Sequence, residues 1–342
     1  MLARAKSALK QTYLRAKSAA ISDRNGKLED TVFLAGGARS GTTWLSELIN
    51  YDNAYRYMFE PFGVRQLGDF WYGSYLRPDR ADEQTRARAS YILSGAFHDP
   101  WVDQFNKRLS VRRRLVKEVR ANLWVKWLRT QFPQVPAIFI MRHPIPTVRS
   151  RFKRYFDAPD RAAIDTDPEK RTVEFRHYLL GQRDLVEDHL APFEDVIENA
   201  TTVWDQRLLV WCAQNYVPLR QLRAGDAHVA FYESFCLDPL GELRKLFAFL
   251  GREVDDAARR SVWKPSPMSR YEKMPDPQTL VSGWTKKVPD ADVARAVELL
   301  RLFGLDDVYD ADPLPKPAGL AAHAAAAAAD APMMQPPNGG HA

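Results

Sequence analysis

The feature that most constrains this chain is the stretch at residues 31–50, TVFLAGGARSGTTWLSELIN. Its first five residues, 31–35, form a short apolar run that predicts a buried strand. A glycine-bearing turn follows at residues 36–41. Four apolar residues then recur at helical spacing: Trp44, Leu45, Leu48 and Ile49. In such a strand–turn–helix unit the first N–H groups of the helix lack partners within the chain, and the helix dipole favours negative charge beside them. The stretch therefore predicts a binding site for a phosphate or a similar anion.

The turn differs in one respect from the loop that binds nucleoside triphosphates. In that loop a Lys stands directly after the second glycine and is followed by Ser or Thr. Here Gly41 is followed by Thr42 and Thr43, so the phosphate-bridging Lys is absent. The fixed positive charge comes earlier, at Arg39, whose guanidinium can bond two oxygens of a phosphate or a sulfuryl group. We therefore predict a site for an anhydride that needs no magnesium, and we predict no metal ligands.

Two motifs resemble those of a known enzyme family. Residues 39–44, RSGTTW, look like the 5′-phosphosulfate loop of sulfotransferases that use 3′-phosphoadenosine 5′-phosphosulfate (PAPS). The second half of that family's signature is an Arg that closes a strand and a Ser eight positions later on the next helix. Arg142 and Ser150 in AIFIMRHPIPTVRS match it. Two motifs in the right order carry more weight than either alone. The resemblance implies PAPS as the cofactor and adenosine 3′,5′-bisphosphate as the product.

The resemblance also implies a fold and a domain plan. The fold is α/β, with a three-layer, P-loop-like arrangement in which helices flank a central parallel sheet of about five strands. The sequence predicts strands at residues 31–35, 54–60, 113–119, 136–141 and 227–235. We predict a catalytic domain at residues 29–310, interrupted by two acceptor-side inserts at about residues 63–111 and 153–205.

Candidate catalytic groups follow two of these strands. In several sulfotransferase branches, including carbohydrate and tyrosyl-protein enzymes, a Glu after the second strand acts as the base. Glu60 resembles it in position and in its aromatic–Glu–Pro setting; the alternative is a strand-end Glu paired with a surface Arg. The family often carries Lys-Asp-Pro at the third strand end, where the Lys helps to hold the sulfuryl oxygens. Here Lys117 is followed by Glu118 and Val119, so the resemblance carries over to the Lys alone.

The remaining predicted site residues would hold the cofactor. The predicted contacts of the phosphosulfate loop are Gly37, Ala38, Arg39, Ser40, Gly41, Thr42, Thr43 and Trp44. Arg142 and Ser150 would bind the 3′-phosphate through a charge-assisted fork and a hydroxyl bond. Tyr232 resembles a family Tyr near the adenosine, at the end of the last core strand. Trp284 and Lys286 resemble a late loop that covers the 3′-phosphate in many family members.

Composition narrows the class of protein further. The formal net charge of +6 suits an anionic nucleotide cofactor and does not demand nucleic acid. The chain has no helix-turn-helix signature, no zinc-ligand spacing and no aromatic RNA-binding box, so we predict no nucleic-acid partner. Its two cysteines cannot form a disulfide framework, and no apolar run approaches the ~20 residues of a membrane span. Because a secretory signal is also missing, we predict a cytoplasmic enzyme.

The two ends of the chain differ from its middle. Residues 1–28 repeat the pentapeptide RAKSA and carry five cations before the first acidic residue. A basic amphipathic helix of this kind could lie at the inner membrane surface, but its apolar face is mostly alanine, which favours a solvated helix instead. Residues 311–342 are rich in Pro and Ala, and we predict that they are disordered.

The sequence leaves three functions open. The first is a sulfotransferase acting on a hydroxyl or an amine of a small molecule, glycan, lipid or peptide, with the Glu-Pro pair favouring carbohydrate or peptide acceptors. The second is a phosphotransferase that uses ATP, which the missing Lys and the lack of an acidic metal ligand disfavour. The third is an inactive protein that binds a membrane surface or a partner. The sequence favours no particular oligomeric state.

Overall fold

The computed structural model describes residues 2–23, 26–64, 73–80, 82–158, 163–264 and 275–329. Within these ranges, five parallel strands form one sheet: β2 (Thr31–Gly36), β3 (Tyr55–Phe59), β5 (Arg113–Glu118), β6 (Ala137–Met141) and β7 (Ala227–Phe231). Across the sheet they are adjacent in the order β3-β5-β2-β6-β7. A second, two-stranded sheet pairs β1 (Ser22–Asp23) with β4 (Ser110–Val111). The predicted α/β fold with five parallel strands is confirmed.

The central strand shows why the sheet lies between two layers. Every residue of β2 is buried. Successive side chains of a strand point to opposite faces. Phe33 and Ala35 accordingly enter one apolar cluster, whereas Val32 and Leu34 enter another. Since both faces must be covered, the strand is a continuous apolar run rather than an alternating one. The two clusters fill the two interfaces between the sheet and the helical layers of a three-layer fold.

Helices supply both covering layers. The helices of the described residues are α1 (Leu2–Ala20), α2 (Thr42–Ile49), α3 (Glu83–Leu93), α4 (Val125–Gln131), α5 (Pro144–Arg151), α6 (Lys153–Phe156), α7 (Pro168–Leu180), α8 (Arg183–Leu185), α9 (Glu194–Glu198), α10 (Val203–Gln221), α11 (Tyr232–Leu237), α12 (Pro239–Phe249), α13 (Asp256–Ser261), α14 (Pro277–Ser282), α15 (Asp290–Leu302) and α16 (Pro317–Ala329). The layer that contains Phe33 includes α5, α7 and α10. The layer that contains Val32 includes α2, α11 and α12.

The N-terminal segment is only partly separate from the domain. Helix α1 forms as predicted, and Leu9 and Tyr13 on it are exposed. Its end is anchored, because Ser18 donates a hydrogen bond to the buried Asp103 at 2.6 Å and Lys17 Nζ donates to the carbonyl of Gln104 at 3.0 Å. Asp103 is also the ion-pair partner of the fully buried Arg56, at 2.9 Å. No described helix is long and apolar enough to cross a membrane.

The C-terminal segment differs from the predicted disorder over part of its length. Helix α16 spans Pro317–Ala329, and Leu320 on it packs against the main core. Nε2 of the buried His323 lies 3.0 Å from Asp307 Oδ1, which fixes the helix to the preceding turn. Alanine is the strongest helix former, so a poly-Ala stretch needs only a few such contacts to fold. Of the predicted tail at residues 311–342, residues 330–342 lie outside the described residues.

The two predicted inserts pack as parts of the domain. In the first, Tyr75 and Phe97 enter the main core, whereas Phe70, Trp71 and Tyr72 lie outside the described residues. In the second, α7 and α9 contribute buried side chains to the same core, and residues 159–162 lie outside the described residues. The covering of the acceptor side by these inserts stays a prediction, as do the domain boundaries.

Candidate active site

The glycine-bearing turn is held in a fixed conformation at the end of β2. Arg39 and Gly41 both have left-handed backbone angles, with φ of 74° and 98°. A Cβ atom at Gly41 would lie 2.5 Å from the Tyr232 ring, so only glycine fits there. Ser40 Oγ donates to the carbonyl of Gly37 at 2.6 Å, which closes the turn. Helix α2 begins directly afterwards, at Thr42, so its free N–H groups face the concave side of the turn.

The two sequence motifs meet at one edge of the sheet. Arg39 Nε donates to Ser150 Oγ at 3.0 Å, and Arg142 Nη1 donates to the carbonyl oxygen of Arg39 at 3.1 Å. β2 and β6 are adjacent parallel strands, so their carboxyl ends deliver the turn and Arg142 side by side. Residues far apart in the chain thus form one cationic site at the carboxyl edge of the sheet.

An aromatic ring covers the Arg142 guanidinium. It lies 4.1 Å from the centroid of the Tyr232 ring, and that ring contacts Trp44 edge to face at 5.9 Å. Trp211 Nε1 donates to the Arg142 carbonyl at 3.1 Å. Arg142 Nε is buried and has no hydrogen-bond partner among the described residues. Such a group costs free energy unless it is satisfied. A phosphate oxygen bound here would satisfy it, so the residues present fit the 3′-phosphate of the implied cofactor.

A buried network that the sequence does not reveal supports Arg142. Glu233 Oε1 accepts from the backbone N–H of His143 at 2.9 Å, and Glu233 Oε2 accepts from the Tyr309 hydroxyl at 2.9 Å. His143 is fully buried, and its Nε2 lies 3.0 Å from the Asp310 carbonyl. Burial lowers the pKa of His143 to about 4, so its imidazole is neutral at pH 7. The network holds the turn that carries Arg142, and its neutral imidazole adds no positive charge beside the guanidinium.

Trp284 and Lys286, the two predicted contacts near the end of the domain, differ in burial. Trp284 is 6% exposed, and its ring stacks on that of His143 with the centroids 4.7 Å apart. Trp284 therefore supports the Arg142 turn from beneath. Lys286 lies on the surface two residues later. A direct contact of either residue with a cofactor stays a prediction.

The predicted base and the predicted sulfuryl-binding Lys are ion-paired. Lys117 Nζ lies 2.6 Å from Glu60 Oε1, and Arg120 Nη1 lies 3.7 Å from Glu60 Oε2. Lys117 is 2% exposed, and its ammonium lies 4.1 Å from the centroid of Phe59. β3 and β5 are adjacent parallel strands, which explains why their ends meet. Glu60 has a left-handed backbone with φ of 48°, a strained conformation for a residue with a side chain.

Glu118 is a further acidic group that the sequence reasoning noted only as a departure from the family pattern. It is buried, and its Oε1 accepts from the backbone N–H of Phe62 at 2.9 Å, so it fixes the turn after Glu60. Burial, and next the negative charge of Glu60, raise the pKa of Glu118 from an ordinary value of 4.5 to about 8. The carboxyl group is thus mostly protonated at pH 7 and acts as a neutral hydrogen-bonding group.

The raised pKa predicts a pH dependence of stability. Because the folded chain binds this proton more tightly than the unfolded chain, the contribution is fully present below about pH 4.5 and is lost as the pH rises through about 8. Glu118→Gln removes the titration. The unfolding free energy of the parent minus that of the variant should fall by up to about 1.4 kcal/mol per pH unit across this range. Urea unfolding at several pH values measures it, and a difference that does not vary with pH would contradict the assignment.

A cavity of about 330 Å³ opens beside the turn. Gly37 and Ala38 form one part of its wall, and Val119 and Arg120 after β5 form another. Helices α5, α7 and α10 complete it. The cavity thus adjoins the turn, and Arg120 in its wall links it to the predicted base Glu60. A volume of this size can hold a small molecule.

A comparison with known protein families agrees with the motifs. Residues 31–191 match a family model described as "Sulfotransferase family", which confirms the resemblance to sulfotransferases. A comparison with curated proteins finds no match. Similar solved structures include the sulfotransferase domain from the curacin biosynthetic pathway, at 15% identity, 82% coverage of this chain, 99% of that chain and a TM-score of 0.41. A mouse sulfotransferase complexed with PAP shares 18% identity over 84% of this chain and 87% of that chain, with a TM-score of 0.38.

Proposed function

Residues 31–191 of this chain match the sulfotransferase family, and from that premise we propose that the protein transfers a sulfuryl group from PAPS to a hydroxyl or an amine of an acceptor. The observation that carries the proposal is the meeting of the two motifs, in which Arg39 bonds Ser150 and Arg142 bonds the Arg39 backbone. One nucleotide with a 5′-phosphosulfate and a 3′-phosphate needs two cationic contacts of this kind, one at each end.

The cofactor-binding roles divide between the two motifs. When bound, PAPS supplies an activated sulfuryl group. The turn at residues 36–41 and the first N–H groups of α2 bind its 5′ end, and Arg39 stabilises the negative charge that develops on the leaving phosphate. Arg142 and Ser150 bind its 3′-phosphate. Tyr232 and Trp44 form an aromatic wall on the side where the adenosine would lie.

The ion pair at the ends of β3 and β5 supplies the proton chemistry. Glu60 accepts the proton of the acceptor hydroxyl, a role worth about 10²–10⁴ in rate. Lys117 has three N–H bonds, of which one points to Glu60 in the structure. The others can donate to the sulfuryl oxygens, so Lys117 holds the base and the transferred group in one orientation. Its burial strengthens both interactions, because the surroundings exclude water.

A titration separates this proposal from phosphotransfer. We expect adenosine 3′,5′-bisphosphate to bind the purified chain without added metal and Mg·ATP to bind more weakly, because a site built for a 3′-phosphate leaves Arg142 unpaired with ATP. Calorimetric titration of both nucleotides measures the difference. Tighter binding of Mg·ATP would favour a kinase instead.

The acceptor can then be found directly. Labelled sulfate transferred from PAPS into an extract of the source organism, followed by identification of the labelled product, would show whether the acceptor is a small molecule, glycan, lipid or peptide.

We place this activity in the cytoplasm, with peripheral membrane contact through residues 1–28 as an extension that vesicle binding would test. Vesicle binding that needs residues 1–28, together with no sulfate transfer to any acceptor class, would indicate a binding protein rather than an enzyme.

A further inference from the structure

The cavity beside the turn is strongly cationic. Four arginines are among its described lining residues, against a single acidic residue, Glu174. The arginines are Arg120, Arg151, Arg171 and Arg207. A cleft lined by one sign of charge attracts ligands of the opposite sign.

Two of these arginines already have protein partners. Arg171 Nε lies 3.0 Å from Asp165 Oδ2, and the same guanidinium donates to Gln206. Arg120 contacts Glu60. Their positive charges are thus partly balanced within the protein. Neither arginine needs a ligand to complete its contacts.

The other two share one aromatic ring. The Arg207 guanidinium lies 4.4 Å from the centroid of Phe152, and that of Arg151 lies 5.5 Å from the same centroid. Asp165 and Glu174 act on Arg207 at longer range, but neither Arg207 nor Arg151 has an ion pair within 4.0 Å in the described ranges. Arg207 Nε is buried and has no hydrogen-bond partner there. Two neighbouring guanidinium groups without ion-pair partners destabilise the folded protein, because burial removes their water and their like charges repel.

The electrostatics of Arg207 agree with that geometry. Burial, and next the positive charges of Arg151 and Arg171, lower the pKa of Arg207 to about 10, against a smaller opposing effect of the Asp165 and Glu174 carboxylates. Its protonated form is therefore less stable than that of an exposed arginine. An anion bound between Arg207 and Arg151 would reverse this effect, since it would pair both charges and accept the unused N–H bond.

We propose that the acceptor carries an anionic group, a carboxylate, a phosphate or a sulfate, and that Arg207 and Arg151 bind this group in the cavity. The proposal rests on the proposed function, because the cavity is assigned to the acceptor from its lining, which includes the turn residues Gly37 and Ala38 and the Glu60 partner Arg120. Arg207 and Arg151 select the acceptor, and Glu60 acts on a hydroxyl elsewhere on the same molecule.

Matched fragments test this preference without knowledge of the natural acceptor. Two pairs differ only in charge: methyl glucuronide with methyl glucoside, and hydroxybenzoate with hydroxybenzamide. A glucose phosphate, compared with methyl glucoside, tests a phosphate group in the same way. Dissociation constants are measured on the full chain, with and without saturating adenosine 3′,5′-bisphosphate. We expect at least one anion to bind about tenfold or more tightly than its neutral partner, because hydrogen bonds to charged groups contribute about 1.5–3 kcal/mol.

Variants then assign the preference to the two arginines. Arg207→Gln should remove most of the tenfold preference, Arg207→Lys should restore part of it, and Arg151→Gln should reduce it. Arg223→Gln removes an exposed arginine beyond the end of α10 and should leave it unchanged. All four variants should bind adenosine 3′,5′-bisphosphate as the parent does. Because Arg151 is exposed, Arg151→Gln should fold. It therefore tests the preference if Arg207→Gln does not fold.

The outcomes separate this inference from the function on which it rests. No preference for the anion in any pair would overturn the inference, as would a loss of nucleotide affinity in Arg207→Gln, which would assign the arginine to the cofactor. A chain that binds anions through Arg207 but does not bind adenosine 3′,5′-bisphosphate would keep the anion site and reject the proposed function.

Discussion

Glu60→Gln is expected to lower turnover by about 10²–10⁴-fold while leaving the affinity for adenosine 3′,5′-bisphosphate unchanged. The amide keeps the shape of the side chain and can still accept the hydrogen bond that Lys117 donates at 2.6 Å. It cannot accept a proton from the acceptor hydroxyl. The variant therefore removes the proposed proton transfer and little else. Turnover comes from initial rates of labelled-sulfate transfer at saturating PAPS, and nucleotide affinity comes from calorimetry.

Two further variants make this result specific. Glu253→Gln applies the same change to an exposed carboxylate and should leave turnover unchanged. Glu60→Asp keeps the acid but shortens it, so it should retain more activity than the amide. If Glu60→Gln kept the parent's turnover, Glu60 would be only the ion-pair partner of Lys117 and Arg120. The strained backbone at Glu60 would then need another explanation.

The elements that the sequence predicted well are those whose signal is local. β2 is one continuous apolar run, so its position follows from six neighbouring residues. The turn and Arg142 each follow such a strand directly. Parallel strands place their carboxyl ends at one edge, so the meeting of Arg39 with Arg142 follows from the sequence order of two motifs and a known sheet rule.

The elements that the sequence did not reveal depend on tertiary burial. Nothing next to Glu118 in the sequence indicates that it is enclosed and protonated near pH 7, because that property comes from the layer packed over it and from Glu60. The neutral state of His143 and its stacking on Trp284 have the same origin. The unpaired state of Arg207 depends on three helices that meet around a cavity. Helix α16 was missed for a different reason, since low complexity outweighed the high helix propensity of alanine.

Arg39→Ala and Arg142→Ala are expected to separate catalysis from binding. Arg39 lies in the turn, where charge develops on the leaving phosphate, so its loss should lower turnover by about 10²–10³-fold. Arg142 is assigned to the 3′-phosphate, which does not change during the reaction. Its loss should chiefly raise the KM for PAPS, by an amount equivalent to about 2–5 kcal/mol. Initial rates over a range of PAPS concentrations give both parameters for both variants.

The contacts in the structure refine this division and supply its control. Arg142 Nη1 donates to the Arg39 carbonyl, so removing Arg142 also loosens the turn. Arg142→Ala should therefore lower turnover somewhat, though less than Arg39→Ala does, and the double variant should be less impaired than the product of the two single effects. Arg149 is next to Ser150 in the sequence, and its guanidinium pairs with Asp157 at 3.2 Å. Arg149→Ala removes that pair, so turnover and the KM for PAPS should both stay at the parent's values. Equal losses of turnover in Arg39→Ala and Arg142→Ala, with no change in KM, would show that the two guanidinium groups do not bind opposite ends of one nucleotide.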